Sequence, residues 1–264
     1  MTINQPIEQP INQPIEQPIN QPYPSLETQQ VLGLPLHLTD DYAGWVLQQM
    51  GDRQGLHVIT LNAEMSMQAE QDPVLARTIH QADLSVPDGA GIVLYFWLRG
   101  RSIHRCPGIE LAEKILEGCP SKQASVFFIG GKPGVTDVAA QAWKQRVPEL
   151  AIAGTQHGYF SDEEEADLCL TLKDIQPSVI LVGLGVPRQE FWIEKHRHLC
   201  PHSTWIGVGG SFDIWAGIKE RAPEWFCNNH LEWMYRLYQE PWRWRRMLAL
   251  PKFAWKAMKA SRTG

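Results

Sequence analysis

Between residues 57 and 210 the chain alternates short, nearly continuous apolar runs with longer stretches in which apolar positions recur every three or four residues. The short runs predict strands at HVITLN (57–62), LSVPDG (84–89), ASVFFIGG (124–131), LAIAGT (150–155), SVILVGLG (178–185) and TWIGVGG (204–210). The stretches DPVLARTIHQA, GIELAEKILEGC, VTDVAAQAWKQRV and EFWIEKHRHL carry the helical period. SDEEEADLCLTLKDI opens with Ser161 and Glu164 at capping-box spacing, so its acidic run reads as a helix start that complements the dipole. Strands apolar on both faces, alternating with helices, predict an α/β fold: a doubly wound, Rossmann-like, mostly parallel sheet.

Two regions break this texture. Residues 1–30 are a Pro/Gln-rich leader in which proline falls at every fourth position from Pro6 to Pro22. Each proline fixes φ and holds its predecessor extended, so the leader is expected to be disordered and polyproline-like. The α/β domain is expected over 36–217, and only helical patterns follow, which makes 218–264 a helical appendage. Leu231–Ala260 carries four Arg and three Lys against two Glu, on a chain whose net charge is −5. It also holds four of the eleven Trp residues.

Composition removes several classes. No apolar run approaches the roughly 20 residues of a membrane span, and the start has no basic, apolar signal pattern, so a cytoplasmic location is expected. Five cysteines without CxxC spacing read as reduced thiols. His196 and His198 diverge on a helix and read as ordinary histidines, and no obligatory metal is expected.

In a doubly wound sheet ligands bind beyond the carboxyl ends of the strands. The loop after the third of these strands, GGKPG, brings Gly130 and Gly131 to a helix start, as either a diphosphate-binding loop or a plain tight turn. Neither it nor GLGVPR meets the dinucleotide fingerprint, and no P-loop occurs. Asp88 follows a proline at a strand end and precedes two glycines. It reads as a general base in a cleft or as an Asp-Gly turn residue bonded to its own backbone.

The blocks TLNAEM, PDGAGIVL, RCPGIEL, FFIGGKPGV, GVPRQEFW, GVGGSFDIWAG, RAPEW and LEWMYRLYQEPWRWRRM, from Leu36 to Lys252, resemble the WecG/TagA/CpsF glycosyltransferases in order and spacing. The resemblance implies an inverting, metal-independent transfer of N-acetylmannosamine from UDP to a polyprenyl-diphosphate-linked GlcNAc, on the inner face of the cytoplasmic membrane. It implies Asp88 as base, with Thr60, Asn62 and Gln189 lining sugar. Arg105 would meet phosphate, and Arg236, Arg243 and Arg246 would reach back over the site. Gly130, Gly131 and Gly209 would belong to the nucleotide loops, and Tyr159 and Asp213 would hold the uracil. Another UDP-hexose donor, or a nucleotide-binding protein without transferase activity, are the alternatives.

Beyond Pro241, Trp244, Met247, Leu248, Ala254, Trp255 and Met258 make an apolar stripe edged by Arg245, Lys252, Lys256 and Lys259, provided helicity persists through Pro251. That composition fits a helix lying in a membrane interface. Packing onto the domain and a homo-oligomer contact are the other readings; nucleic acid is disfavoured by the acidic remainder.

Overall fold

The structure, a computed structural model, describes residues 26–52, 54–229 and 231–261. Among the described residues eight strands form: β1 (Glu27–Val31), β2 (Leu34–Leu38), β3 (Leu56–Leu61), β4 (Leu84–Pro87), β5 (Ser125–Gly130), β6 (Ala151–Gln156), β7 (Val179–Gly183) and β8 (Thr204–Gly207). The last six are the six expected strands. They make one all-parallel sheet in the order β4-β3-β8-β7-β5-β6. The chain leaves β3 toward one edge for β4, then crosses to the far side for β5, so a topological switch lies beside β3 and β8.

Alternate side chains of each strand enter different cores. Val126, Phe128, Val179 and Leu181 pack under the helices Tyr42–Gly51, Gly108–Gly118 and Val135–Arg146. Phe127, Ile129, Ile180 and Val182 face the opposite layer, built from Asp162–Ile175 and Arg188–His196. Ile59 and Leu61 of β3 meet the helices Ala63–Ala69, Pro73–His80 and Ala90–Trp97 on that side. This two-face burial is why the strands read as continuous apolar runs. The capping box of the acidic helix forms, with Ser161 N donating to Glu164 at 2.7 Å.

One boundary needs correction. The leader expected to end at 30 overlaps β1, which pairs antiparallel with β2 from Glu27↔Leu38 to Val31↔Leu34. Leu32 and Gly33 both have positive φ, as a two-residue hairpin turn requires. Val31, Leu34 and Leu36 are buried, and His37 Nδ1 accepts the Ser85 N–H at 2.9 Å, so the hairpin covers the β4 edge and belongs to the domain. The rest of the expected leader, 1–25, lies outside the described residues.

The C-terminal part is helical: Glu224–Asn228, Glu232–Gln239, a 3-10 turn Pro241–Arg243, Trp244–Met247 and Ala249–Ser261. Pro241 restarts the chain, whereas Pro251 sits in the first turn of the last helix, where its missing N–H costs nothing. Ala249–Ser261 packs on Ala63–Ala69 and Ala90–Trp97 through Phe253 and Ala257, both fully buried. Among the described residues no helix is long and apolar enough to cross a membrane.

Candidate active site

The carboxyl ends of all six parallel strands open into one cleft of about 1250 Å³. Thr60 and Asn62 enter it from β3, Asp88 from β4, Gly131 from β5, Tyr159 from β6, and the glycine loops after β7 and β8 complete the floor. The appendage roofs it with Glu232, Arg236, Glu240, Trp242 and Arg246.

Asp88 is partly buried, and Asn62 reaches it. The Asn62 side chain accepts from Met65 N at 2.9 Å, capping the helix Ala63–Ala69, and its amide also hydrogen-bonds the Asp88 carboxylate. Burial raises the Asp88 carboxyl to about 6; Arg236, Arg105 and the Asn62 hydrogen bond pull it down, and the neighbouring Glu232 pushes it up. A carboxylate poised there is ionised at neutral pH yet basic enough to take a proton. The adjacent Cys106 thiol is pushed up to about 12, chiefly by burial, and stays neutral.

Gln189 is buried and works as a staple. Its Oε1 accepts from Gly185 N at 3.2 Å and Gly209 N at 3.1 Å, tying the loop after β7 to the loop after β8. Gly130 lies under the cleft rather than in its wall. Its φ is +144°, and a Cβ there would stand 2.5 Å from Gly183 O, so glycine is required by the close approach of β5 to β7. Gly131 does line the cleft, with its carbonyl accepting from Gly158 N at 2.9 Å.

Two of the cations, Arg105 and Arg236, act on Asp88. Arg105 Nη1 and Arg236 Nη2 reach the two carboxylate oxygens of Glu232 at 3.1 and 2.6 Å. Arg246 pairs with Glu64 in the first turn of Ala63–Ala69. Arg243 ends the turn Pro241–Arg243, and its side chain lies outside the described residues. The helices Gly108–Gly118 and Val135–Arg146 start at the cleft wall with no side-chain cap, leaving first-turn N–H groups for an anion. Among the described residues no group of three His, Cys, Asp or Glu side chains converges as a metal cage.

Tyr159 is exposed at the cleft mouth. Asp213 is held by Lys219 Nζ at 2.6 Å, and Lys219 also meets Glu240 at 3.1 Å, a bridge from the domain to the appendage. No local pattern marks Glu232, Lys219, Glu240 or Glu190 as site residues. An acidic residue in a basic tail carries no mark of the partner it meets.

Comparison with known families matches residues 29–264 to the Glycosyl transferase WecG/TagA/CpsF family. Three curated relatives carry the name N-acetylglucosaminyldiphosphoundecaprenol N-acetyl-beta-D-mannosaminyltransferase. The protein of Bacillus spizizenii is 38% identical over 81% of this chain and 82% of its own length. That of Bacillus subtilis is 34% identical over 78% and 80%, and one from Staphylococcus aureus 35% over 78% and 81%. With the six-stranded sheet, the cleft at its carboxyl edge and this match over most of its length, the chain belongs to the WecG/TagA/CpsF glycosyltransferase family.

Proposed function

We propose that this glycosyltransferase moves N-acetylmannosamine from UDP to a polyprenyl-diphosphate-linked GlcNAc at the inner surface of the cytoplasmic membrane, without a metal ion. The observation that carries the reading is Asp88, a carboxyl raised to about 6, flanked by Arg105 and Arg236 at the end of β4. The cleft, about 1250 Å³, exceeds the roughly 300–1,000 Å³ of a single small-molecule site and suits two substrates.

The chemistry is one displacement. Asp88 takes the proton of the acceptor hydroxyl as its oxygen bonds to C1 of the donor sugar, and the C1–O bond to UDP breaks with its electron pair on the diphosphate. A single displacement inverts C1. The negative charge gathering on the leaving diphosphate is met by Arg105, Arg236 and Arg246 and by the uncapped helix starts. Tyr159 offers a ring to the uracil and Asp213 a hydrogen-bond acceptor.

The appendage serves two ends in this reading. Its inner side supplies Arg236 and Arg246 to the cleft. Its outer side leaves Trp244, Leu248, Trp255 and Met258 exposed beside Arg245, Lys252 and Lys259, the composition of a helix seated among anionic lipid headgroups. Leu94 and Trp97, exposed on the neighbouring helix Ala90–Trp97, add apolar area from the domain.

The test offers a panel of UDP-sugars and a short-prenyl diphosphate-GlcNAc to the purified protein in EDTA, with products read by mass spectrometry. A disaccharide-lipid from UDP-N-acetylmannosamine supports the reading. Product only from another UDP-sugar changes the donor. No product from any, with UDP still bound, removes the acceptor assignment.

A further inference from the structure

Glu232 is an acidic side chain that stands between two of the site's cations next to the base. It opens the helix Glu232–Gln239 and its side chain is 12% exposed. Its Oε2 takes Arg105 Nη1 at 3.1 Å and its Oε1 takes Arg236 Nη2 at 2.6 Å, so each oxygen serves one guanidinium. Arg105 comes from the loop before Gly108–Gly118 and Arg236 from one turn further along the appendage. Two oxygens of one anion bridging two arginines is the arrangement a diphosphate would impose on the same pair.

We infer that Glu232 is a built-in competitor of the diphosphate: it neutralises Arg105 and Arg236 beside Asp88 and yields at least one of them when a phosphate group enters. This rests on the glycosyltransferase reading above and goes beyond it, because it assigns a role to an acidic residue of the roof. The physical case is charge balance. Two guanidinium groups drawn together in a half-buried site repel unless an anion lies between them. Glu232 supplies that anion, so the pair can stay assembled over the base.

The same contact works against phosphate. An incoming diphosphate must displace a carboxylate already hydrogen-bonded at 2.6 and 3.1 Å, and part of its binding energy goes into the exchange. The loss falls on ground-state and product binding, where tight retention of UDP slows release and does nothing for the chemical step. Glu232 therefore favours turnover over retention.

It also acts on the base. The groups facing Asp88 are Asn62 from the cap of Ala63–Ala69, Arg105 and the neutral Cys106 from the loop before Gly108–Gly118, and Glu232 and Arg236 from the appendage. Among them Glu232 is the charge that raises Asp88, and it also engages the two cations that lower it. Neutralising Glu232 lowers the Asp88 carboxyl on both counts.

The experiment compares Glu232→Gln with wild type by calorimetry against inorganic diphosphate and against UDP, and by the pH profile of kcat/KM. Glu232→Gln should bind both ligands on the order of tenfold tighter, the worth of one charged hydrogen bond no longer contested. It should lower donor KM together with kcat, and move the acid limb of kcat/KM to lower pH. Glu232→Asp, which keeps the charge, should hold the limb near its wild-type position. If Glu232→Gln weakens both ligands or leaves the limb in place while remaining folded by circular dichroism, Glu232 is only a strut and the inference is overturned. If wild type itself binds neither UDP nor diphosphate, the functional reading falls, and the inference with it.

Discussion

His57 Nε2 lies 3.0 Å from Glu190 Oε2, and both side chains are fully buried. The other Glu190 oxygen accepts from Gln189 Nε2 at 2.9 Å, which leaves Gln189 Oε1 pointing at the N–H groups of Gly185 and Gly209. A carboxylate accepts only, so it fixes which end of the Gln189 amide faces the loops. His57 sits near the start of β3 and thus braces the floor of the cleft from inside the sheet. Removing one partner of such a pair leaves the other buried without it, so His57→Ala is expected to cost about 3–5 kcal/mol in urea unfolding. Glu190→Gln, closer in shape, should instead free the Gln189 amide to turn over and speed hydrogen exchange at Gly185 and Gly209. Unchanged exchange at both glycines would show that the staple does not depend on Glu190.

Asp88→Asn tests the base. Turnover should fall roughly 10²- to 10⁴-fold with UDP affinity kept, as expected when a proton acceptor is removed from otherwise intact geometry. The wild-type kcat/KM should rise with pH through about 6, where the Asp88 carboxyl ionises, and then level off. A rate near wild type in the variant would take Asp88 out of the mechanism.

The same substitution carries a stability signature of opposite sign. Asp88 titrates near 3.8 when unfolded and at about 6 when folded, so the native state holds its proton more tightly. Between these values the folded protein binds more protons than the unfolded one, and stability falls as pH rises. Ionising Asp88 therefore costs about 3 kcal/mol at neutral pH, from a rise of about two units at roughly 1.4 kcal/mol each. Asp88→Asn should melt higher than wild type at about pH 8 and no higher below about pH 4, where Asp88 is protonated in both states. A gain that persists in acid would point to packing instead of charge.

The contrast between what the chain discloses and what it hides follows from local and tertiary causes. All six parallel strands were legible because each is buried on both faces, and Asp88 stood out because it follows a strand into a loop, whereas Gln189 was reached only through the family resemblance. The hairpin Glu27–Leu38 was not, since the strand ETQQV is mostly polar and covers an edge that no local pattern announces. Ala90–Trp97 escaped for the opposite reason: AGIVLYFW is apolar throughout, and a run without a period does not distinguish helix from strand. His57 and Glu190 are paired across 133 residues of chain, and Glu232 and Arg105 across 127. Their chemistry is a property of the assembled site.

The last helix, Ala249–Ser261, has two apolar sides, and they should separate in experiment. Phe253 is 1% exposed, with its ring centroid 6.2 Å from that of Tyr95 on Ala90–Trp97. Trp255, two positions on, is 58% exposed, and Met258 shares its exposure. Trp244, Leu248, Trp255 and Met258 of the apolar stripe thus stay outside, while Phe253 and Ala257 hold the helix to the domain. Phe253→Ala empties a filled position and should cost about 3–5 kcal/mol in docking of the helix, read as a lower melting temperature and exposure of the appendage to protease. Trp255→Ala removes no packed contact of that kind and should shift stability by less than about 0.5 kcal/mol. On vesicles containing anionic lipid the order reverses in kind. Trp255→Ala should weaken association roughly tenfold through lost apolar burial, and Lys252→Gln should weaken it by about 1 kcal/mol at low salt and less as salt screens the surface. Lys256 is the poorer test, because it is paired with Glu70. Equal vesicle binding by Trp255→Ala and wild type, with Phe253→Ala alone affected, would mean that the exposed stripe does not meet lipid and that the helix serves the fold only.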